Sequence, residues 1–278
     1  MGPVVPGIGR VVSAHGDYYH LVCNEAEVEI LARKKKSVFK FRKLEERNRP
    51  PETRNGEQLV PITGDFVRFR HNPHGESLIT EVLPRFSRFE RKDPTARRKA
   101  QTLAVNFDAL FIMMSLNENF SLPRLERFLV LAADMGKAEA VVVLTKSDLL
   151  TEKEVRERCE AVRDLAPRVP VHAVSSLTGA GLDGLSSYLA PRRTIAFIGS
   201  SGVGKSSLLN AFAGEEWMAT QEIQSWSGKG RHTTTSRELV MLPNGTMAID
   251  TPGIREIGTL GEREEFLVKG ESTHRYRK

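Results

Sequence analysis

The chain has 278 residues, enough for two modest domains with a core in each. No apolar run approaches the roughly 20 residues of a membrane helix, and the first ten residues lack the basic region and apolar block of a secretory leader. Two lone cysteines, Cys23 and Cys159, exclude a disulfide framework or a readable zinc cluster, so a cytoplasmic monomer with no membrane partner is expected.

The net charge of +6 is unevenly spread. Residues 33–49 hold nine Lys or Arg against two Glu, and residues 85–99 hold seven against two acids. Two basic runs in one small unit, the first interleaved with Phe39 and Phe41, point to a polyanionic partner, RNA, rather than to a merely solvated face. The candidate RNA contacts are Arg33, Lys34, Lys35, Lys36, Lys40, Arg42 and Lys43.

In chain order, short strands are expected at 8–12, 18–23, 27–32, 66–70 and 77–83, with a turn at Gly16-Asp17 and a long polar loop over 34–61 broken by Pro50-Pro51 and Asn55-Gly56. Five short strands without a helix suggest a small β-barrel of the OB type over 1–84. Residues 85–101 read as a basic linker broken at Pro94.

From residue 102 the rhythm becomes that of an α/β protein. Strands are expected at 109–114, 138–145, 169–174 and 193–198, and helices at 122–135, 152–165, 182–189 and 206–213. A hairpin over 238–249 turns at Pro243-Asn244-Gly245. This predicts a sheet with helices on both faces over 102–260, followed by a short basic tail over 261–278.

Four motifs fall within this unit. Gly199-Ser200-Ser201-Gly202-Val203-Gly204-Lys205-Ser206, followed by Ser207, matches the phosphate-loop pattern GxxxxGK[ST], with a strand before and a helix after. Its amides and helix terminus suit a triphosphate. Lys205 is expected at the β/γ-phosphates as a candidate catalytic group, and Ser206 on Mg²⁺. Asp250-Thr251-Pro252-Gly253 follows an apolar strand, as expected of a carboxylate ordering magnesium-bound water, with the Gly253 amide near the γ-phosphate.

Thr145-Lys146-Ser147-Asp148 fits the [NT]KxD pattern, in which a carboxylate accepts two N–H groups from guanine's edge. Adenine cannot supply that pair, so the substrate is expected to be GTP rather than ATP. Thr145 stands where Asn is usual, so one base contact is expected to be shorter or water-bridged. Ser175-Ser176-Leu177, about thirty residues later and also after a strand, supports this reading. Finally, one of Thr233, Thr234 or Thr235 is expected to ligate Mg²⁺, as switch loops do. Ile254 follows Gly253 where Ras-type enzymes hold a water-orienting Gln, which leaves His232 as the candidate polar helper.

The guanine motif precedes the phosphate loop, the reverse of the Ras order. With this rotation and Gly230-Arg231-His232-Thr233-Thr234-Thr235 in the switch position, the chain resembles the RsgA family of circularly permuted GTPases, which assist late maturation of the small (30S) ribosomal subunit. The resemblance runs from about Gly9 through Glu256 and includes Gly9-Arg10-Val11-Val12, Gly64-Asp65 and Gly253-Ile254-Arg255-Glu256. It implies an OB-fold on rRNA, a central P-loop GTPase domain, and slow hydrolysis of GTP to GDP and phosphate that the ribosomal subunit accelerates. It also implies a hydrophobic residue in place of the catalytic Gln, matching Ile254, and a helper His matching His232. A C-terminal zinc domain with three Cys and one His is expected for the family, but the 25 residues after Gly253 contain no Cys and only His274. The alternative reading is a GTP-dependent RNA-binding module with negligible turnover; an ATPase is the third.

Overall fold

Alternation of apolar and polar side chains builds the N-terminal unit. In β1 (Pro6–His15), β2 (Tyr18–Val22), β3 (Ile30–Lys34), β4 (Phe66–Arg70) and β5 (Ser77–Val82), inward residues meet as one cluster of Val11, Tyr19, Leu21, Ala32, Val67, Phe69 and Ile79. Arg68 and Arg70 alternate outward from Val67 and Phe69. Burying each large apolar side chain contributes about 1.5–3 kcal/mol. The computed structural model describes residues 6–23, 30–34, 60–91, 101–214 and 238–250.

The strand order β1-β2-β3-β5-β4 closes through a β1–β4 pairing, with β3 and β5 parallel and the other neighbours antiparallel. This is the expected five-stranded barrel of OB type. β1 is longer than expected because it serves several neighbours: residues 6–10 pair with β4, residues 10–15 pair with β2, and Ser13 lies opposite Glu238 of the second unit. The expected loop at 34–61 lies outside the described residues except at its ends, as do residues 27–29 of the expected strand at 27–32, whose remainder falls in β3.

The stretch expected as a linker contains structure. β6 (Arg88–Arg91) pairs antiparallel with β7 (Gln101–Val105). Phe89 and Leu103 are each 1% exposed and Ala104 and Val105 are fully buried, so apolar anchors hold a ribbon whose remaining residues are charged or polar. The charges masked the alternation.

The second unit comprises β8 (Ala109–Ser115), β9 (Glu139–Thr145), β10 (Val171–Ala173), β11 (Thr194–Ile198), β12 (Glu238–Met241) and β13 (Met247–Asp250). Their order is β10-β9-β8-β11-β13-β12, parallel except for the β12–β13 hairpin. All seven residues of β8 are buried, as in a sheet covered on both faces. Leu110, Ile112 and Met114 pack with α1 (Leu122–Ala132) and α2 (Glu152–Leu165), while Ala109, Phe111 and Met113 pack with α3 (Lys205–Ala213). The expected helix at 182–189 is instead a 3₁₀ run, Leu182–Tyr188. Gly184 and two serines favour helix weakly, and a Cβ at Gly184 would lie 2.9 Å from the His172 ring.

The two units are joined by buried polar groups. Arg10 leaves the barrel and donates to Thr194 Oγ1 at 2.7 Å, to the Asn106 carbonyl at 2.7 Å and to Met247 Sδ at 3.0 Å. Its guanidinium lies 4.9 Å from the Phe66 ring centroid. Burial lowers its pKa to about 10 against the opposing pull of Asp108 and Asp65, so it stays cationic at neutral pH. Asp65, fully buried, accepts two hydrogen bonds from Arg85 at 2.8 Å each and one from the Ile62 amide at 2.9 Å. Gly64 sits between them at φ +96°, where a Cβ would lie 2.6 Å from the Val105 carbonyl.

Removing one partner of a buried ion pair strands the other charge. Asp65→Ala is therefore expected to cost about 3 kcal/mol, read as a lower urea midpoint. A loss below roughly 0.5 kcal/mol, the range of an ordinary surface substitution, would contradict this assignment.

Candidate nucleotide-binding site

Strands β9 and β11 flank β8 and run parallel to it, so their C-terminal ends emerge on the same edge of the sheet. The chain passes to β9 on one side of β8 and to β11 on the other, the arrangement that opens a crevice at the strand ends of an α/β sheet. Thr145 ends β9, and Gly199 begins the loop after β11. The phosphate loop and the Thr-Lys-Ser-Asp turn are thereby neighbours, although the second comes first in sequence.

The loop is fixed from within. Val203 is 2% exposed and packs against the sheet, while Ser201, Gly202, Ser206 and Ser207 face solvent. Gly204 adopts φ +100° at the start of α3, a conformation that suits glycine. Helix α3 differs from the other two described α-helices. Ser121 caps α1, and Thr151 with Glu154 forms a capping box on α2, whereas α3 has neither a capping side chain nor an acidic residue in its first turn. Its N-terminal amides and positive dipole end suit an anion from outside. Lys205 opens this helix, half-buried.

Thr145 is 2% exposed, and its hydroxyl donates to the Val203 carbonyl at 2.6 Å. Lys146 then takes a left-handed conformation at φ 61°, which costs a non-glycine residue about 1 kcal/mol. It turns the chain into a single 3₁₀ turn, Ser147–Leu149, that carries Asp148. The Ser147 amide donates to the Val174 carbonyl at 3.1 Å and holds this turn to the end of β10.

Ser175 is fully buried and stands behind Asp148. Its hydroxyl donates to Asp148 Oδ1 at 2.5 Å and accepts from the amides of Leu177 and Thr178 at 3.3 and 3.2 Å. The carboxylate is oriented by a residue that is itself locked into its loop. Thr145, Lys146, Asp148, Leu149, Ser176, Leu177, Gly204 and Ser207 line a cavity of about 200 Å³. Leu149 and Leu177 are 57% and 85% exposed at its mouth, aliphatic walls of the kind that flank a flat ring. A larger open groove of about 690 Å³ runs along α2 on the other side of Asp148 and includes no phosphate-loop residue.

Asp250 ends β13, whose residue Ile249 pairs with Ala196 of β11, so the Asp250 backbone emerges beside the strand that feeds the phosphate loop. His232, Thr233, Thr234, Thr235, Gly253 and Ile254 lie outside the described residues, as do Lys35, Lys36, Lys40, Arg42 and Lys43. Arg33, exposed at the end of β3, pairs with Glu76 at 2.6 Å, hydrogen-bonds the Tyr18 hydroxyl and lies 4.4 Å from the Tyr18 ring centroid. Lys34 follows it. Sequence reasoning missed Leu149, for which the only signal was its place after Asp148. It also assigned no role to Arg10, a polar residue in an apolar strand.

Fold and site together define a class: an OB-type barrel joined to a circularly permuted P-loop GTPase domain. The RsgA GTPase family profile matches residues 82–260. The chain belongs to the RsgA GTPase family. It is 40% identical over 250 residues to the small ribosomal subunit biogenesis GTPase RsgA 2 of Lactiplantibacillus plantarum, covering 90% of this chain and 66% of that protein. The RsgA of Methanosarcina acetivorans is 42% identical over 210 residues, covering 75% of this chain and 56% of that protein. The crystal structure of YjeQ from Thermotoga maritima superposes with a TM-score of 0.63 at 26% identity, covering 89% of this chain and 75% of that one. The chain spans 66% and 56% of the length of these two curated relatives, less than two thirds of each.

A charge-assisted hydrogen bond such as Ser175 to Asp148 contributes about 1.5–3 kcal/mol. Ser175→Ala is expected to weaken guanine-nucleotide binding about tenfold or more by isothermal titration. Unchanged affinity would contradict an orienting role for Ser175.

Proposed function

We propose that this protein binds GTP in the crevice between β9 and β11, hydrolyses it slowly, and acts in late maturation of the small ribosomal subunit. The observation that carries this reading is the junction of Thr145 with the Val203 carbonyl, beside an Asp148 held by Ser175. Asp148 accepts the two ring-edge N–H groups of guanine, and Ser176 and Lys146 flank the base. Loop residues 199–204 and the uncapped start of α3 take the phosphates through backbone amides, with Lys205 and Ser207 at the same end. The names of the relatives, small ribosomal subunit biogenesis GTPases, support the biological role.

The exposed Ser206 hydroxyl in the first turn of α3 is a hard oxygen donor and fits Mg²⁺. Asp250 and one of Thr233, Thr234 or Thr235 would complete its surroundings. When bound, Mg²⁺ neutralises charge on the β- and γ-phosphate oxygens. The protein's own contribution is binding and alignment. Ile254 cannot orient water by hydrogen bonding, so turnover awaits an added group, His232 or one supplied by the ribosomal subunit. Ile254 also favours the second reading, a GTP-dependent RNA-binding module with negligible turnover. The RNA surface is the barrel with Arg33, Lys34 and the basic residues 35–43, acting as a cytoplasmic monomer.

Purified small ribosomal subunits are expected to raise kcat at least tenfold, measured as phosphate release. Absence of stimulation would leave the non-hydrolysing reading in place. The logarithm of affinity for rRNA is expected to fall linearly with the logarithm of salt concentration, and a flat dependence would exclude the basic surface as the interface.

A further inference from the structure

Thr145 occupies the position from which a residue of a guanine site faces both the phosphate loop and the purine. Its Oγ1 lies 2.6 Å from the Val203 carbonyl oxygen and 3.5 Å from the Met114 carbonyl oxygen. Carbonyls only accept, so the hydroxyl is the donor. A threonine hydroxyl has one proton, and here the shorter contact takes it. What remains on Oγ1 is lone pairs.

The guanine atoms that a residue at this position could meet, O6 and N7, are acceptors as well. Lone pairs on Oγ1 cannot bond them. Turning the hydroxyl towards the base would strip Val203, 2% exposed, of the donor to its carbonyl. Loss of such a buried partner costs about tenfold in an equilibrium constant. Crowding does not force the choice, since a Cβ at Gly204 would still lie 3.8 Å from Thr145 Cβ and Oγ1. The assignment therefore follows from counting protons.

We propose that Thr145 is a positioning residue for the phosphate loop and makes no hydrogen bond to the purine, so that the site does not read N7. This rests on the GTP-binding reading above. Discrimination then falls on Asp148, at the opposite edge of the base. On this proposal the shorter base contact expected of Thr145 is replaced by a contact to the loop, and a water donating to both Oγ1 and N7 is the alternative that the analogue below excludes. An Asn at this position has two amide N–H groups, one for the Val203 carbonyl and one for N7; this chain gives up the second.

The test uses the full chain and three nucleotides, GTP, 7-deaza-GTP and ATP, by isothermal titration. Wild-type protein is expected to bind GTP and 7-deaza-GTP within about twofold, because the N7 acceptor that the analogue lacks is unread. Thr145→Val keeps the shape and removes the proton; it is expected to weaken both about tenfold while leaving their ratio unchanged. Thr145→Asn is expected to create a preference for GTP over 7-deaza-GTP of about fivefold or more. A wild-type preference for GTP over 7-deaza-GTP of about tenfold, with ATP still rejected, would overturn this inference and leave the GTP reading intact. Equal affinity for ATP and GTP, or no binding of either, would overturn both.

Discussion

A hydrogen bond between residues 58 positions apart, from the Thr145 hydroxyl to the Val203 carbonyl, fastens the guanine motif to the phosphate loop. Neither motif could form a site by itself. The loop supplies amides without a base-reading group, and the turn at Asp148 supplies a carboxylate without a phosphate cradle. Their meeting depends on β8, which pairs with β9 on one side and β11 on the other and brings both C-terminal ends to one edge. That geometry does not depend on where the chain starts. Rotation of the motif order moves the termini and leaves the two motifs neighbours at that edge.

The same sheet is tied to the barrel by a second buried constraint. Arg10 spans the joint between β1 and the starts of β11 and β13, while Asp65, Arg85 and Asn106 fill the space around it. The β12–β13 hairpin lies between β1 and β11 in the sheet order, so the segment leading to Asp250 is hydrogen-bonded to the barrel side and to the phosphate-loop strand at once. The barrel and the crevice are held in one hydrogen-bonded framework.

Much of this was legible because the signals are strong and local. The continuous apolar runs of β8 and β11, short and bounded by turn residues, read as strands covered on both faces, and the alternation in Phe66–Arg70 as a half-buried one. The phosphate loop and the Thr-Lys-Ser-Asp turn announce themselves by residue type and flanking elements. What stayed hidden depends on partners far away in sequence. Nothing near Thr145 says that its proton goes to Val203, nothing near Ser175 says that it stands behind Asp148, and Arg10 looks like an ordinary charged strand residue. The ribbon of β6 and β7 was obscured because Phe89 sits among arginines. The 3₁₀ run at Leu182–Tyr188 has a helical pattern, but Gly184 lies against His172 and the glycine and serines support a full helix poorly.

The proposed function rests on Asp148 reading a guanine edge in a crevice assembled from rotated motifs. The most direct measurement compares GTP and xanthosine triphosphate binding to the wild-type chain and to Asp148→Asn. The amide presents a donor where the carboxylate presented only acceptors, which suits the second carbonyl of xanthine. The variant is expected to lose at least about tenfold in GTP affinity and to prefer xanthosine triphosphate. Unchanged GTP affinity in Asp148→Asn would contradict it.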